Sequence, residues 1–115
     1  MQGTDQDGIM IYFLEDRFLQ DVDPPNLLTV MKDHMTHGRR KFIFSFTKIK
    51  DLFSPVVGIL AVAARRAKDS GAEIKLAGLN PFVEKSIRAS RLDRFFEIYT
   101  TVNEARESFK KSPVG

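Results

Sequence analysis

Residues 41–77 read KFIFSFTKIKDLFSPVVGILAVAARRAKDSGAEIKLA, and they contain two strand patterns separated by one helix pattern. Lys41–Phe46 alternates and is rich in phenylalanine, which is typical of a strand. Ser54 and Pro55 then open a helix, because serine can cap free amides and proline at the first helical position loses no intrahelical bond. Glu73–Ala77 is the second strand. Parallel neighbours need a crossover helix of this kind, so the stretch predicts a strand–helix–strand unit of a parallel sheet.

The body of this helix is predicted to run from Val56 to Lys68. Apolar residues at helical spacing predict its inner face, and several of them are small enough to bring the helix close to the sheet. The predicted inner face consists of Val57, Leu60, Ala61 and Ala64. The small residues are Gly58, Ala61 and Ala64.

The same alternation extends in both directions along the chain. Ile9–Leu14 is a continuous apolar run that predicts a buried strand. Asp23-Pro24 and Asn80-Pro81 repeat the cap-and-proline helix start. After a short predicted strand at Phe96–Tyr99, the sequence Thr-Val-Asn-Glu at 101–104 fits a capping box that starts the last helix. Strand and helix thus alternate four times, which predicts an α/β fold with a mixed, mostly parallel sheet of four to five strands and about four helices.

Length and composition predict one domain over residues 1–115, with frayed ends at 1–7 and 111–115. The chain has 43% hydrophobic and 29% charged residues and no cysteine, which excludes disulfides and thiolate chemistry and fits a cytoplasmic protein. Its longest apolar runs are far shorter than the roughly 20 residues of a membrane span. These short runs predict no membrane insertion, and because no basic residue precedes Arg17, no secretory signal is expected either.

The net charge of +3 is unevenly distributed along the sequence. Residues 1–37 carry two basic and seven acidic groups, whereas residues 38–115 carry sixteen basic and eight acidic groups. Such polarity suits an oriented protein partner, although solvated faces without a partner explain it equally well. Nucleic acid is not expected as a partner, because the helical basic residues do not form one stripe with exposed aromatics. These residues are Arg65, Arg66, Lys68, Lys85, Arg88, Arg91 and Arg94.

Motifs for catalysis or metal binding are not found in the sequence. His34 and His37 lie three residues apart, but no third ligand cluster accompanies them, so no metal site is expected. Glu15 and Asp16 follow the first strand as acidic residues do in response-regulator receiver domains, but the aspartate and lysine that a receiver needs later in the chain are missing. Glycine-rich phosphate loops and the G-x-S-x-G elbow are also missing. The sequence therefore predicts a protein that is not an enzyme and that uses no cofactor.

Four pieces in order resemble a STAS domain, the fold of sulfate-transporter domains and anti-sigma factor antagonists. They are KFIFSF, KDLFSPVVGILAVAARRAKDSGA, EIKLAGLNPFVEKSI and RLDRFFEIYTTVNEARESF. The resemblance implies a mixed sheet with helices mostly on one side, and a bacterial regulator that acts by partner switching. Its partner would be an anti-sigma serine kinase, or a related phosphatase-type regulator. In the family, that kinase phosphorylates a serine or threonine at the start of the second helix and so releases the antagonist.

This sequence departs from the family pattern at the phosphorylation site. Phe53 stands at the usual acidic position, Ser54 at the first hydroxyl position, and Pro55 at the usual acceptor position. The family's Gly-x-Leu-Asp stretch is not recognisable in residues 15–20. The resemblance therefore implies a degenerate phosphorylation site. Ser54 is explained by helix capping alone, worth about 0.5–2 kcal/mol against alanine, but it is also the candidate phosphoacceptor of an alternative, shifted switch.

The partner-binding surface is predicted around the start of this helix, and transcription control through a sigma-factor pathway is the expected role. The surface comprises Lys50, Asp51, Leu52, Phe53, Ser54, Pro55 and Val56. Leu52 and Phe53 fit either partner anchors or core residues. Two further alternatives stay open, namely a STAS domain that binds a small ligand or nucleotide, and an accessory subunit of a membrane transporter. A homodimer is also left open.

Overall fold

The computed structural model describes residues 3–6, 8–15, 27–52 and 54–111. The strands are β1 (Gly3–Gln6), β2 (Ile9–Phe13), β3 (Lys41–Ser45), β4 (Glu73–Ala77) and β5 (Glu97–Tyr99). The helices are α1 (Leu27–Thr36), α2 (Ser54–Asp69), α3 (Pro81–Ala89) and α4 (Val102–Lys111), and a short 3-10 turn, Leu92–Arg94, lies between α3 and β5. None of the described helices has the length and apolarity needed to cross a bilayer.

The five strands form one sheet in the order β1-β2-β3-β4-β5. β2 to β5 are parallel, and β1 pairs antiparallel with β2. Met10 lies opposite Phe42, and Phe42 opposite Ile74, so buried apolar side chains line up across the sheet. The predicted α/β fold with a mostly parallel sheet is confirmed.

The main core lies on the sheet face covered by α1, α2 and α3. Tyr12, Phe42, Phe44 and Phe46 are fully buried there, and the ring centroids of Tyr12 and Phe44 lie 5.7 Å apart. Phenylalanine thus supplies most of the large side chains that β3 contributes to this core, as its sequence pattern indicates.

The opposite face of the sheet is covered by α4 through Ala105 and Phe109. Lys75 of β4 points into this smaller core with its side chain only 3% exposed. Its Nζ lies 4.2 Å from the centre of the Phe109 ring and 3.2 Å from a carboxylate oxygen of Glu97. It also donates a hydrogen bond to Ser108. This lysine is therefore paired although it is buried, as buried charges need to be.

Two predictions about local structure are corrected. Residues 3–6, predicted to fray, form β1, because their backbone pairs with the edge of the apolar strand β2. Gly8, which directly precedes β2, has φ +78°, a conformation that glycine adopts without strain. Of the other end predicted to fray, residues 111–115, only Lys111 is described, as the last residue of α4. Residues 112–115 lie outside the described part of the chain.

The second correction concerns the inner face of α2. The buried residues are Val56, Leu60, Ala63 and Ala67, whereas Ala61 and Gly58 are exposed. The first turns of this helix carry apolar residues on several sides, so the sequence periodicity does not determine which side faces the core. The predicted start of α1 at Asp23-Pro24 lies outside the described residues.

Candidate functional site

The parallel strands end at one edge of the sheet, which we call the carboxyl edge. Its described residues are 14–15 after β2, 46–52 between β3 and α2, and 78–80 between β4 and α3, together with the first turns of these two helices. The loops that connect each strand to the next helix meet at this edge, because β2 to β5 are parallel and all end there. Of the sequence-predicted partner-binding residues, Lys50, Asp51 and Leu52 lie at this edge, and Val56 lies in the first turn of α2.

The loop between β3 and α2 is anchored in the core at two points. Phe46 and Ile49 are buried, and the Ile49 amide donates to the Phe46 carbonyl oxygen at 2.9 Å. This turn leaves Thr47 and Lys48 exposed at its tip. The loop therefore presents polar side chains from a backbone held by apolar anchors.

Asn80 connects this loop to the start of α3. Its Oδ1 accepts from the Val83 amide at 2.7 Å, which caps the helix as the sequence predicts. Its Nδ2 donates to the carbonyl oxygens of Ile49 and Lys50, at 3.3 and 3.2 Å. One side chain thus satisfies an open helix amide and fixes the backbone that carries Lys50.

Gly78 brings the two loops into direct contact. Its φ of +74° is left-handed, and a Cβ at this position would lie 2.6 Å from Cγ2 of Thr47. Side chains larger than hydrogen would collide with the β3–α2 loop. The close approach and the Asn80 hydrogen bonds together fix the shape of the carboxyl edge.

The predicted binding residues divide into exposed and buried groups. Lys50 and Asp51 are exposed, whereas Leu52 packs partly buried against the main core and Val56 is only 2% exposed. Of the two roles predicted for Leu52, its position fits that of a core residue, and Val56 has no surface to offer a partner. Both anchor the helix start because they are apolar and lie above the core.

The helix α2 begins at Ser54, the residue at which the sequence predicts it. Phe53 and the side chains of Ser54 and Pro55 lie outside the described part of the structure. Their predicted roles, including that of Ser54 as phosphoacceptor, stay predictions.

Charged side chains at the carboxyl edge are solvent-exposed. Lys48 Nζ lies 3.5 Å from a carboxylate oxygen of Glu15, with side chains 63% and 47% exposed. Exposed pairs of this kind contribute little to stability, at most about 1 kcal/mol. Lys48, Lys50 and Asp51 are therefore available to orient a charged partner.

Phe82, in the first turn of α3, was missed as a candidate from the sequence. It is 62% exposed, the largest exposed fraction among the large apolar side chains of the described residues. The neighbouring Val83 and Ile87 are fully buried. Because successive helical residues are about 100° apart, the inner face formed by Val83 and Ile87 already indicates that Phe82 faces outward.

The two histidines lie away from this edge, near the end of α1. The Tyr12 hydroxyl is hydrogen-bonded to Nδ1 of His34, and His37 Nδ1 lies 2.8 Å from the Asp33 carbonyl oxygen. Burial, with a smaller contribution from the Asp33 charge, raises the pKa of Tyr12 above its usual range. Within the described ranges, no group of three or more histidine or carboxylate side chains could hold a metal ion.

Comparison with solved structures shows similar folds. A structure described as an anti-sigma factor antagonist from Thermotoga maritima has a TM-score of 0.77 at 21% identity, over 96% of this chain and 94% of that one. A chain from a structure of the stressosome, described as a signal integration and transduction hub, has a TM-score of 0.79 at 15% identity, over 99% and 100%. A variant of RsbS from Moorella thermoacetica has a TM-score of 0.76 at 15% identity, over 96% of each chain.

These likenesses show that the sheet order and helix positions are those of a known fold. A family model described as the STAS domain matches residues 6–105, a range that includes both loops of the carboxyl edge. With that match over most of its length, the chain belongs to the STAS domain family.

Proposed function

We propose that this chain is a non-enzymatic regulatory module that binds a protein partner at the carboxyl edge, in the manner of an anti-sigma factor antagonist. The family match over residues 6–105 is the observation that carries the proposal. The partner class is an anti-sigma serine kinase or a phosphatase-type regulator in a bacterial cytoplasm. Resemblance of the fold to an anti-sigma factor antagonist supports this partner class.

The geometry of the carboxyl edge supports binding by a surface that is already ordered before the partner arrives. Asn80 and Gly78 hold the β3–α2 loop, so little conformational entropy is lost when Lys50 and Asp51 meet a partner. Phe82, two residues after Asn80 in the first turn of α3, supplies an exposed aromatic ring at the carboxyl edge, and aromatic residues dominate the binding energy of many interfaces. Charge would orient the partner, and the ring would add affinity.

The phosphorylation switch is degenerate in this proposal, because Pro55 stands where the family carries its acceptor. Partner release would then depend on competition between partners instead of on a phosphate. In the alternative, Ser54 accepts the phosphate. A phosphate at the first residue of α2 suits the helix dipole, so it would act by changing the surface that the partner meets and would leave the fold intact.

Affinity purification from extracts of the source cell tests the partner class. Tagged wild-type protein is compared with Lys50→Glu and Phe82→Ala, and with Lys110→Glu on α4 as a control on the opposite face. We expect a protein kinase or phosphatase regulator with the wild type and with the control. The purified partner should bind each carboxyl-edge variant at least about tenfold more weakly, a loss of about 1.4 kcal/mol.

Recovery of the same partner at equal affinity by all variants would contradict the proposed surface. Turnover of a metabolite by the purified chain, without any protein partner, would contradict the proposed function itself.

Intact-mass analysis after incubation with the purified kinase and ATP decides between the two switches. The degenerate switch predicts no added phosphoryl group. The alternative predicts one on the wild type and none on Ser54→Ala, and a phosphoryl group that persists in Ser54→Ala would exclude this serine.

A further inference from the structure

A groove lies at the end of the sheet opposite the carboxyl edge. It is formed by the second half of α2, the first residues of β4 and the 3-10 turn, and it encloses about 810 Å³. Its floor is apolar, with Ala64, Ala67, Ile74 and Phe96 among the lining residues. The volume is within the range of about 300–1,000 Å³ typical of binding pockets.

Phe95 stands at the rim of this groove, 60% exposed. Its amide donates to the Leu92 carbonyl oxygen at 2.9 Å, which closes the 3-10 turn. Leu92, which precedes Phe95 in the chain, and Phe96, which follows it, are both buried, so the turn that presents Phe95 is fixed to the core. An exposed aromatic ring on an anchored turn is suited to contact an apolar group of a partner.

The charges around the groove favour an anionic occupant. Arg65, Lys68 and Arg94 line it together with Asp69 and Glu73. Glu73 already pairs with Lys75, since its carboxylate lies 3.7 Å from Lys75 Nζ, so the three cations of the groove face one other carboxylate, that of Asp69.

The groove cations differ in how far other charges already offset them. Lys68 lies in the last turn of α2, where a cation offsets the helix dipole. Among the residues that the structure describes, no carboxylate lies within ion-pair distance of Arg65 or Arg94. These two guanidinium groups are therefore available to an outside anion.

We propose that this groove binds an acidic peptide segment of a partner protein, in which an aromatic or aliphatic side chain lies beside the carboxylates. Arg65 and Arg94 would pair with the carboxylates, since the guanidinium fork matches a carboxylate with two parallel hydrogen bonds. The apolar side chain would pack between Phe95 and the alanine floor. This groove is a second surface, separate from the carboxyl edge, so the inference does not depend on the proposed function.

Selection from a phage-displayed random peptide library against the full chain tests the inference and does not require the partner to be isolated first. Phe95→Ala and Phe82→Ala are a matched pair, because the two rings are almost equally exposed and lie at opposite ends of the sheet. We expect selected peptides to combine aspartate or glutamate with one large apolar residue. Fluorescence anisotropy of a synthetic consensus peptide should show at least about tenfold weaker binding to Phe95→Ala and Arg94→Glu, with Phe82→Ala unchanged.

Selected peptides without acidic enrichment, or peptides that bind Phe95→Ala as well as the wild type, would overturn the inference. Competition by ATP or GTP for the consensus peptide, with stronger binding of the nucleotide, would assign the groove to a small anion and would also overturn it. Circular dichroism melts of each variant would establish that a loss of binding does not come from unfolding.

Discussion

Substitution of Asn80 gives a specific prediction, because its side chain makes two kinds of hydrogen bond that different variants remove separately. Asn80→Ala removes the acceptor for the Val83 amide and the donor to the Ile49 and Lys50 carbonyl oxygens. Loss of the cap costs about 1 kcal/mol. The two loop hydrogen bonds share one amide group and are long, so together they contribute about 0.5–1.5 kcal/mol. Asn80→Ala should therefore lower the free energy of unfolding by about 2 kcal/mol.

Asn80→Ser separates the two contributions. Serine retains a capping oxygen and lacks the amide donor, so it should cost only about 1 kcal/mol. Urea denaturation gives the free energies of unfolding of the wild type and both variants. Amide hydrogen exchange adds a local readout, since the Ile49 amide is bonded within the β3–α2 loop. We expect faster exchange at Ile49 in both variants, and faster exchange at Val83 in Asn80→Ala alone.

Equal stability and equal Ile49 exchange in Asn80→Ser and the wild type would refute the reasoning. The amide of Asn80 would then not hold the loop, and the carboxyl edge would not be ordered in advance by this contact. Faster exchange at Ile49 with weaker partner binding, in a variant that keeps its cap, would support it.

Four further predictions concern other parts of the molecule. Gly78→Ala should cost about 1–3 kcal/mol in chemical denaturation, because its Cβ would collide with Thr47, and Thr47→Ala should recover part of that loss. Lys75→Met should change stability by less than about 1 kcal/mol, because both glutamate partners stay half-exposed, whereas Lys75→Ala should cost about 2–4 kcal/mol through the cavity it leaves. Arg91→Gly should raise the melting temperature, since arginine stands at φ +62° and relief of this strain is worth up to about 1 kcal/mol. Above about pH 10, where tyrosine ionises in the unfolded chain, stability should fall by up to about 1.4 kcal/mol per pH unit more in the wild type than in Tyr12→Phe. The sign follows because the pKa of Tyr12 is raised in the fold, so the unfolded state loses its proton first; equal slopes in the two proteins would contradict it.

The elements that the sequence predicts well are those with local signals. Apolar runs mark β2 and β3, and the Asn80-Pro81 pair marks the start of α3. In each case the residues that define the element also stabilise it, by burial or by capping. The exposure of Lys50 and Asp51 is also predictable from the local sequence, because charged residues that lie between apolar anchors face water.

Elements stabilised by distant parts of the chain were not predictable in this way. β1 consists of Gly, Thr, Asp and Gln and is held by its backbone pairing with β2. Lys75 lies in an alternating strand, where its charge indicates a solvent face, but α4 covers that face from a separate part of the sequence. The Asn80 hydrogen bonds to the β3–α2 loop span about thirty residues, so no local pattern in the sequence could indicate them.

The two proposed surfaces share one structural element, because α2 starts at the carboxyl edge and its second half lines the groove. Between them, Leu60 and Ala63 are fully buried against the sheet. Packed cores resist continuous deformation, so a partner at either end would meet a helix whose position is already fixed. Binding at one end is then expected to leave the affinity at the other end unchanged. A partner could couple the two ends only by binding one of two packing arrangements of α2 more tightly, and a fixed helix has only one. The fold is thus suited to join two partners at opposite ends of the sheet, with charge and an exposed phenylalanine at each of these ends.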